Sequence, residues 1–68
     1  MVVELNGRAE KLPDGATVAD AVRFVGVDGD TRGVAVALDG EVVRRSDWEK
    51  TKLAERQAIE VVRAVQGG

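Results

Sequence analysis

Two dipeptides constrain this chain more than any other feature: Asn6-Gly7 and Asp39-Gly40, each set between short runs of strand-like residues. Both suit a type I′ turn, whose two central residues need positive φ. The chain must therefore double back twice within a few residues. Met1-Val2-Val3-Glu4-Leu5 alternates, sending Met1, Val3 and Leu5 to one face, so the first hairpin pairs it with a returning strand from Arg8 to Leu12. The second hairpin joins Gly33-Val34-Ala35-Val36-Ala37-Leu38, whose unbroken apolar character marks sheet interior, to Glu41-Val42-Val43.

Between the hairpins lies one helix. After the turn signal Pro13-Asp14-Gly15, Val18, Ala21, Val22 and Val25 recur at helical spacing. Thr17 stands where it can cap the first turn, Asp20 suits the positive end of the macrodipole, and Gly26 can take the left-handed position after the last turn. Further on, Ser46-Asp47-Trp48-Glu49 has capping-box spacing for a short helical turn that lowers Trp48 onto the core as a lid. Ala58-Ile59-Glu60-Val61-Val62-Arg63-Ala64-Val65 is rich in β-branched residues and predicts a last strand. The pattern is α+β: about five strands in the order ββαββ, a turn, then β, with one main helix on one face. The core is predicted between Val18, Ala21, Val22 and Val25 and the inward sets Val3/Leu5 and Ile59/Val61.

Composition narrows the chemistry. At 68 residues there is room for one domain, and with neither cysteine nor histidine there is no basis for a zinc site, a disulfide framework, thiol chemistry or Ser/His catalysis. Ser46, Thr17, Thr31 and Thr51 have no imidazole to activate them, and their spacings suit caps and turns. A formal net charge of −2 offers no cationic field to a nucleic acid. No apolar run approaches the roughly 18 residues of a membrane helix, and the N-terminus lacks a signal-peptide layout, so a cytoplasmic protein is expected. Asp28-Gly29-Asp30-Thr31-Arg32-Gly33 opens like a calcium loop, but Arg32 puts a cation where an oxygen ligand belongs, and no metal site is expected. Glu4 and Glu10, which the first hairpin can bring together, have no predicted cleft to serve. Arg44-Arg45 reads as an exposed strand end or an anion contact.

The end of the chain points to a chemistry. Gln66-Gly67-Gly68 follows the last strand without side chains to anchor the glycines, and glycine loses more freedom on ordering than any other residue. Extended at about 3.3 to 3.6 Å per residue, these three reach roughly 10 Å beyond the strand, thin enough for a narrow tunnel. A carboxylate is a poor acyl electrophile, so another enzyme must first convert that of Gly68 into a mixed anhydride, for instance with AMP from ATP. The chain then serves as a carried acyl group. On this reading residues 1–66 form the domain and 67–68 its tail.

Leu5-Asn6-Gly7, Thr17-Val18, Val36 through Val43, Arg45, Trp48 and Glu60 through Gly68 together resemble the ubiquitin-like β-grasp sulfur carriers, in particular the thiamine-biosynthesis branch. The resemblance implies a mixed β-grasp sheet and a protein co-substrate with no bound cofactor. In that family the terminal glycine, here Gly68, is adenylated with ATP by a ThiF-type adenylyltransferase. Sulfur drawn from cysteine through a desulfurase makes it a thiocarboxylate, which a ThiG-type thiazole synthase consumes. Val62, Ala64, Val65, Gln66 and Gly67 would then meet the partner. Two departures stand out: Arg44 where many members have proline, and Glu55-Arg56-Gln57 where many have an Asp-Gly turn. A carrier of the molybdopterin-synthase type, a conjugating modifier and a non-covalent β-grasp interaction module are the rival readings.

Overall fold

A computed structural model describes residues 1–27 and 29–63. The strands are β1 (Val2–Leu5), β2 (Arg8–Lys11), β3 (Val34–Leu38), β4 (Glu41–Val43) and β5 (Ala58–Arg63). One helix, α1 (Val18–Phe24), separates the hairpins, and a three-residue 3₁₀ turn (Arg45–Asp47) precedes β5. The sheet runs β2-β1-β5-β3-β4. β5 is parallel to β1 and antiparallel to β3, which makes the sheet mixed and puts its last strand in the middle. Both predicted turns form with positive φ at Asn6 (52°), Gly7 (82°), Asp39 (49°) and Gly40 (87°).

α1 has only seven residues, so its ends carry much of its stability. The first-turn N–H groups have no partner within the helix. Here Val18 N donates to Thr51 O at 2.9 Å, Ala19 N to Trp48 O at 3.0 Å and Asp20 N to Thr17 Oγ1 at 3.3 Å, while Thr17 N donates back to Asp20 Oδ2 at 2.9 Å. That reciprocal pair is a capping box. The hydrogen bond from the Thr17 backbone, helped by the Arg23 guanidinium, holds the Asp20 carboxyl below its ordinary value of 3.8. Its stabilising contribution is therefore present above about that pH and is lost as the pH falls through the lower folded value. At the far end Gly26, at φ 94°, completes a Schellman motif: Gly26 N donates to Arg23 O and Val27 N to Val22 O.

That motif corrects one core expectation. Val25 is the C-cap and is exposed, because the helix has already ended there; Val27, after the reversal, is buried in its stead. The rest of the predicted core holds: Val3, Leu5, Val18, Ala21, Val22, Ile59 and Val61 are buried, joined by Leu12, Ala16, Ala19, Val36, Leu53 and Trp48. Trp48 is the lid, its indole Nε1 donating to Val43 O at 3.0 Å. The capping box at Ser46 does not form. The N-cap of the 3₁₀ turn is Arg44, with no side-chain cap bond, and Ser46 lies inside the turn. One further expectation changes: Ala35 is exposed, so β3 is interior only in strand order.

The loop before β5 takes an unusual conformation. Arg56 has φ 66°, in the left-handed region that favours glycine, and its N–H donates to Val2 O at 2.7 Å. A side chain there costs about 1–2 kcal/mol, partly offset by the freedom glycine would add to the unfolded chain. Arg56→Gly is expected to stabilise the domain by about 0.5–1 kcal/mol, read as a raised midpoint in urea unfolding with unchanged slope.

Candidate functional site

β5 is the strand that leads into the C-terminal segment, so what holds β5 fixes where that segment begins. Two groups hold it, and both belong to the turn dipeptides. At its start, Asp39 N donates to Ala58 O at 2.8 Å, while Asp39 Oδ1 accepts from Ala58 N at 3.0 Å and Oδ2 from Gln57 Nε2 at 3.2 Å. Nearer its end, Asn6 N donates to Ile59 O at 2.8 Å, Asn6 Oδ1 accepts from Val61 N at 2.8 Å, and Asn6 Nδ2 donates to Val61 O at 3.3 Å. The amide of Asn6 thus imitates one more backbone residue on β1 and lengthens the parallel ladder after Leu5, where the chain itself has turned away. The sequence showed both residues only as turn formers. Their side chains' grip on β5 depends on which strand lies beside each turn.

α1 covers one face of the sheet and leaves the other open. On the open face Val62 lies opposite Ala35, and Val42 opposite Ala37. Val62 is 60% exposed and Val42 79%, so together they make an apolar patch with alanines between them. Val62 was predicted there; Val42 and the two alanines were not. The other predicted site residues, Ala64, Val65, Gln66, Gly67 and Gly68, lie outside the described residues.

The remaining candidates resolve into structure. The β1–β2 register sets Glu10 opposite Val3 and Glu4 opposite Ala9, so Glu4 and Glu10 face opposite sides of the hairpin and form no carboxylate pair. Asp30 is taken up by its neighbour: Arg32 Nε and Nη2 donate to its two oxygens at 3.0 Å, and the Arg32 backbone N–H adds a third bond. Those bonds hold the Asp30 carboxyl below its ordinary value. Among the described residues no group of three acids is placed to hold a metal ion. Arg45 Nη1 donates to Thr31 Oγ1 at 2.9 Å, tying the 3₁₀ turn to the loop before β3. Among the described residues no helix is long and apolar enough to cross a membrane.

The family model described as the ThiS family matches residues 2–68. The crystal structure of a thiamine biosynthesis protein (ThiS) from Geobacter metallireducens superposes with a TM-score of 0.79 at 24% identity, covering 100% of both chains. The solution structure of a thiamine biosynthesis protein from the same organism gives 0.80 at 24% identity, covering 100% of this chain and 88% of that one. At that identity the two structures speak for the fold alone. No curated protein matches the chain.

The clamp on β5 can be separated from the turn that carries it. Asn6→Gly keeps a residue tolerant of positive φ and removes only the side-chain amide. A loss of about 1–3 kcal/mol is expected, with faster hydrogen exchange at the Val61 amide than at buried amides of β3.

Proposed function

The chain belongs to the ThiS family, the small sulfur carriers of thiamine biosynthesis, and on that footing we propose that Gly68 is its reacting residue. The Gly68 carboxylate attacks the α-phosphorus of ATP on a ThiF-type adenylyltransferase, and pyrophosphate leaves. Sulfur drawn from cysteine by a desulfurase arrives as a persulfide, whose terminal sulfur attacks the acyl carbon of the adenylate. A C–S bond forms, the anhydride C–O bond breaks, and AMP departs with one of the original oxygens, which gives an acyl disulfide. A thiol reductant cleaves the S–S bond, keeps the other sulfur as a disulfide and leaves the thiocarboxylate. The thiocarboxylate then gives its sulfur to a ThiG-type thiazole synthase in the cytoplasm. This chain contributes no catalytic group and binds no cofactor of its own; ATP belongs to the partner.

The observation that carries this reading is the position of β5, the central strand, gripped at its start by Asp39 and near its end by Asn6. A carrier needs a firm root and a thin end. Residues 1–66 act as the handle and Gly67-Gly68 as the thread, whose missing Cβ atoms let the partner's backbone and nucleotide come close. Docking the handle turns the attack on ATP into a nearly unimolecular step. The match to the ThiS family favours the thiazole branch over the molybdopterin-synthase branch and over a non-covalent module. Val62, with Val42 beside it, docks on the adenylyltransferase, and Ala64, Val65, Gln66 and Gly67 line the way in.

Incubation with the adenylyltransferase, ATP and a sulfide source is expected to replace one oxygen by one sulfur at Gly68, seen by mass spectrometry of the intact chain. Removal of Gly67 and Gly68 abolishes that change. Sulfur transfer that survives the truncation would overturn the proposal. Val62→Glu, which adds a charge on the open face without touching the core, is expected to raise the KM for the carrier in adenylation about tenfold, equivalent to about 1.4 kcal/mol, with the melting temperature unchanged.

A further inference from the structure

Asn6 is the only asparagine of the chain, and it stands before a glycine. That order has a chemistry of its own, apart from turns. The backbone nitrogen of the following residue can attack the side-chain carbonyl carbon and close a five-membered imide, and glycine hinders the attack least because it has no Cβ. The nucleophile is available here. Among the described residues the Gly7 N–H has no acceptor, Asn6 and Gly7 are both exposed, and even a Cβ added at Gly7 would meet nothing within 4 Å. The electrophile is held back. Asn6 Oδ1 accepts from Val61 N at 2.8 Å and Nδ2 donates to Val61 O at 3.3 Å, so both ends of the amide are tied to β5.

Ring closure brings the Gly7 nitrogen onto the face of the amide at Cγ. To offer that face the amide must turn about its Cα–Cβ and Cβ–Cγ bonds, and turning breaks both hydrogen bonds to Val61. Two bonds of ordinary net strength favour the clamped form by about ten- to a hundredfold. The reaction then proceeds in proportion to the released form, as other reactions of locally opened states do. The contact that holds β5 therefore also protects Asn6.

We propose that Asn6 is a site of spontaneous modification whose rate is set by its clamp on β5, and that its conversion releases the end of that strand. The Gly7 N–Cγ bond forms, the Cγ–Nδ2 bond breaks, and the side-chain nitrogen leaves as ammonia with the proton that Gly7 gives up. Water then opens either imide C–N bond, giving aspartate or isoaspartate. Aspartate sets a carboxylate oxygen against Val61 O where Nδ2 had donated, so two acceptors face each other. Isoaspartate routes the main chain through Cβ and Cγ, which adds one carbon to a loop whose two residues fix the hairpin register. Either product loses the paired contact with Val61, and neither returns to the amide unaided. The chemistry does not depend on the carrier reading; on that reading the loosened strand is the one that leads into residues 64–68, and conversion sets aged copies apart from fresh ones.

The test incubates the full chain at mildly alkaline pH, unfolded in guanidinium chloride or folded in sodium chloride of equal ionic strength. Intact mass follows the exchange of NH2 for OH, and peptide mapping with enzymatic methylation of isoaspartate places it. Conversion at Asn6 is expected in both arms, about ten- to a hundredfold slower in the folded chain. The converted chain, separated from the rest, is expected to exchange the Val61 amide hydrogen faster than the unconverted chain and to melt at a lower temperature. Asn6→Asp, which copies one product without ageing, is expected to do the same. Equal rates in the two arms would show that the clamp does not restrain the amide. Protection as large as the global unfolding constant would reduce the reaction to damage of the denatured chain, and unchanged Val61 exchange after conversion would separate Asn6 from the hold on β5. Each of these three results overturns the proposal.

Discussion

The structure depends on how its central strand is held. β5 has neighbours on both sides, yet the chain leaves β1 at Leu5 and β3 at Leu38, so the ladders end early at opposite ends of β5. Asn6 and Asp39 continue them with side-chain amide and carboxylate groups in place of backbone. Each such bond contributes on the order of 1 kcal/mol net, but leaving a half-buried N–H such as that of Val61 without an acceptor would cost more. The same two residues accept positive φ readily, which is why one position serves both as turn and as clamp.

A tightly held strand on a small domain implies a division of labour. α1, Trp48 and the 3₁₀ turn cover one face, where the backbone carbonyls of Trp48 and Thr51 also satisfy the first amides of the helix. The other face has small residues, Ala35 and Ala37, between Val42 and Val62. A flat surface of this kind suits contact with another protein better than enclosure of a small molecule. Thr17, Asp20 and Asp30 are engaged in a cap and ion pairs, and Glu4 and Glu10 stand apart on opposite faces.

Much of this was legible in the residues themselves. The hairpins, the single helix with its Thr17 cap and Gly26 ending, the strand order along the chain and most of the core followed from turn chemistry and periodicity. The failures share a cause. Val25 fits the helical stripe, but a stripe does not show that the helix stops one residue earlier. Ser46 and Glu49 have the spacing of a cap, but the 3₁₀ turn starts at Arg45 and leaves Ser46 inside it. Glu4 and Glu10 are close in a hairpin, but parity sends them to opposite faces. In each case a short-range pattern was overruled by register or by the end of an element. The clamps of Asn6 and Asp39 were invisible for the complementary reason: they depend on β5, more than fifteen residues from either turn in the chain. The reading of the glycine pair, which lies outside the described residues, rests on chemistry and not on packing.

The two hairpins share no ladder with each other; β5 alone joins them. During synthesis β1–β2 and β3–β4 leave the ribosome first, each with one sheet edge unsatisfied, and they cannot form a common sheet until the last residues arrive. The segment that seals the molecule is the same one that leads into residues 64–68. Closure of the sheet thus waits for the end of the chain, and a nascent or torn-open copy has two separate ribbons and no finished platform.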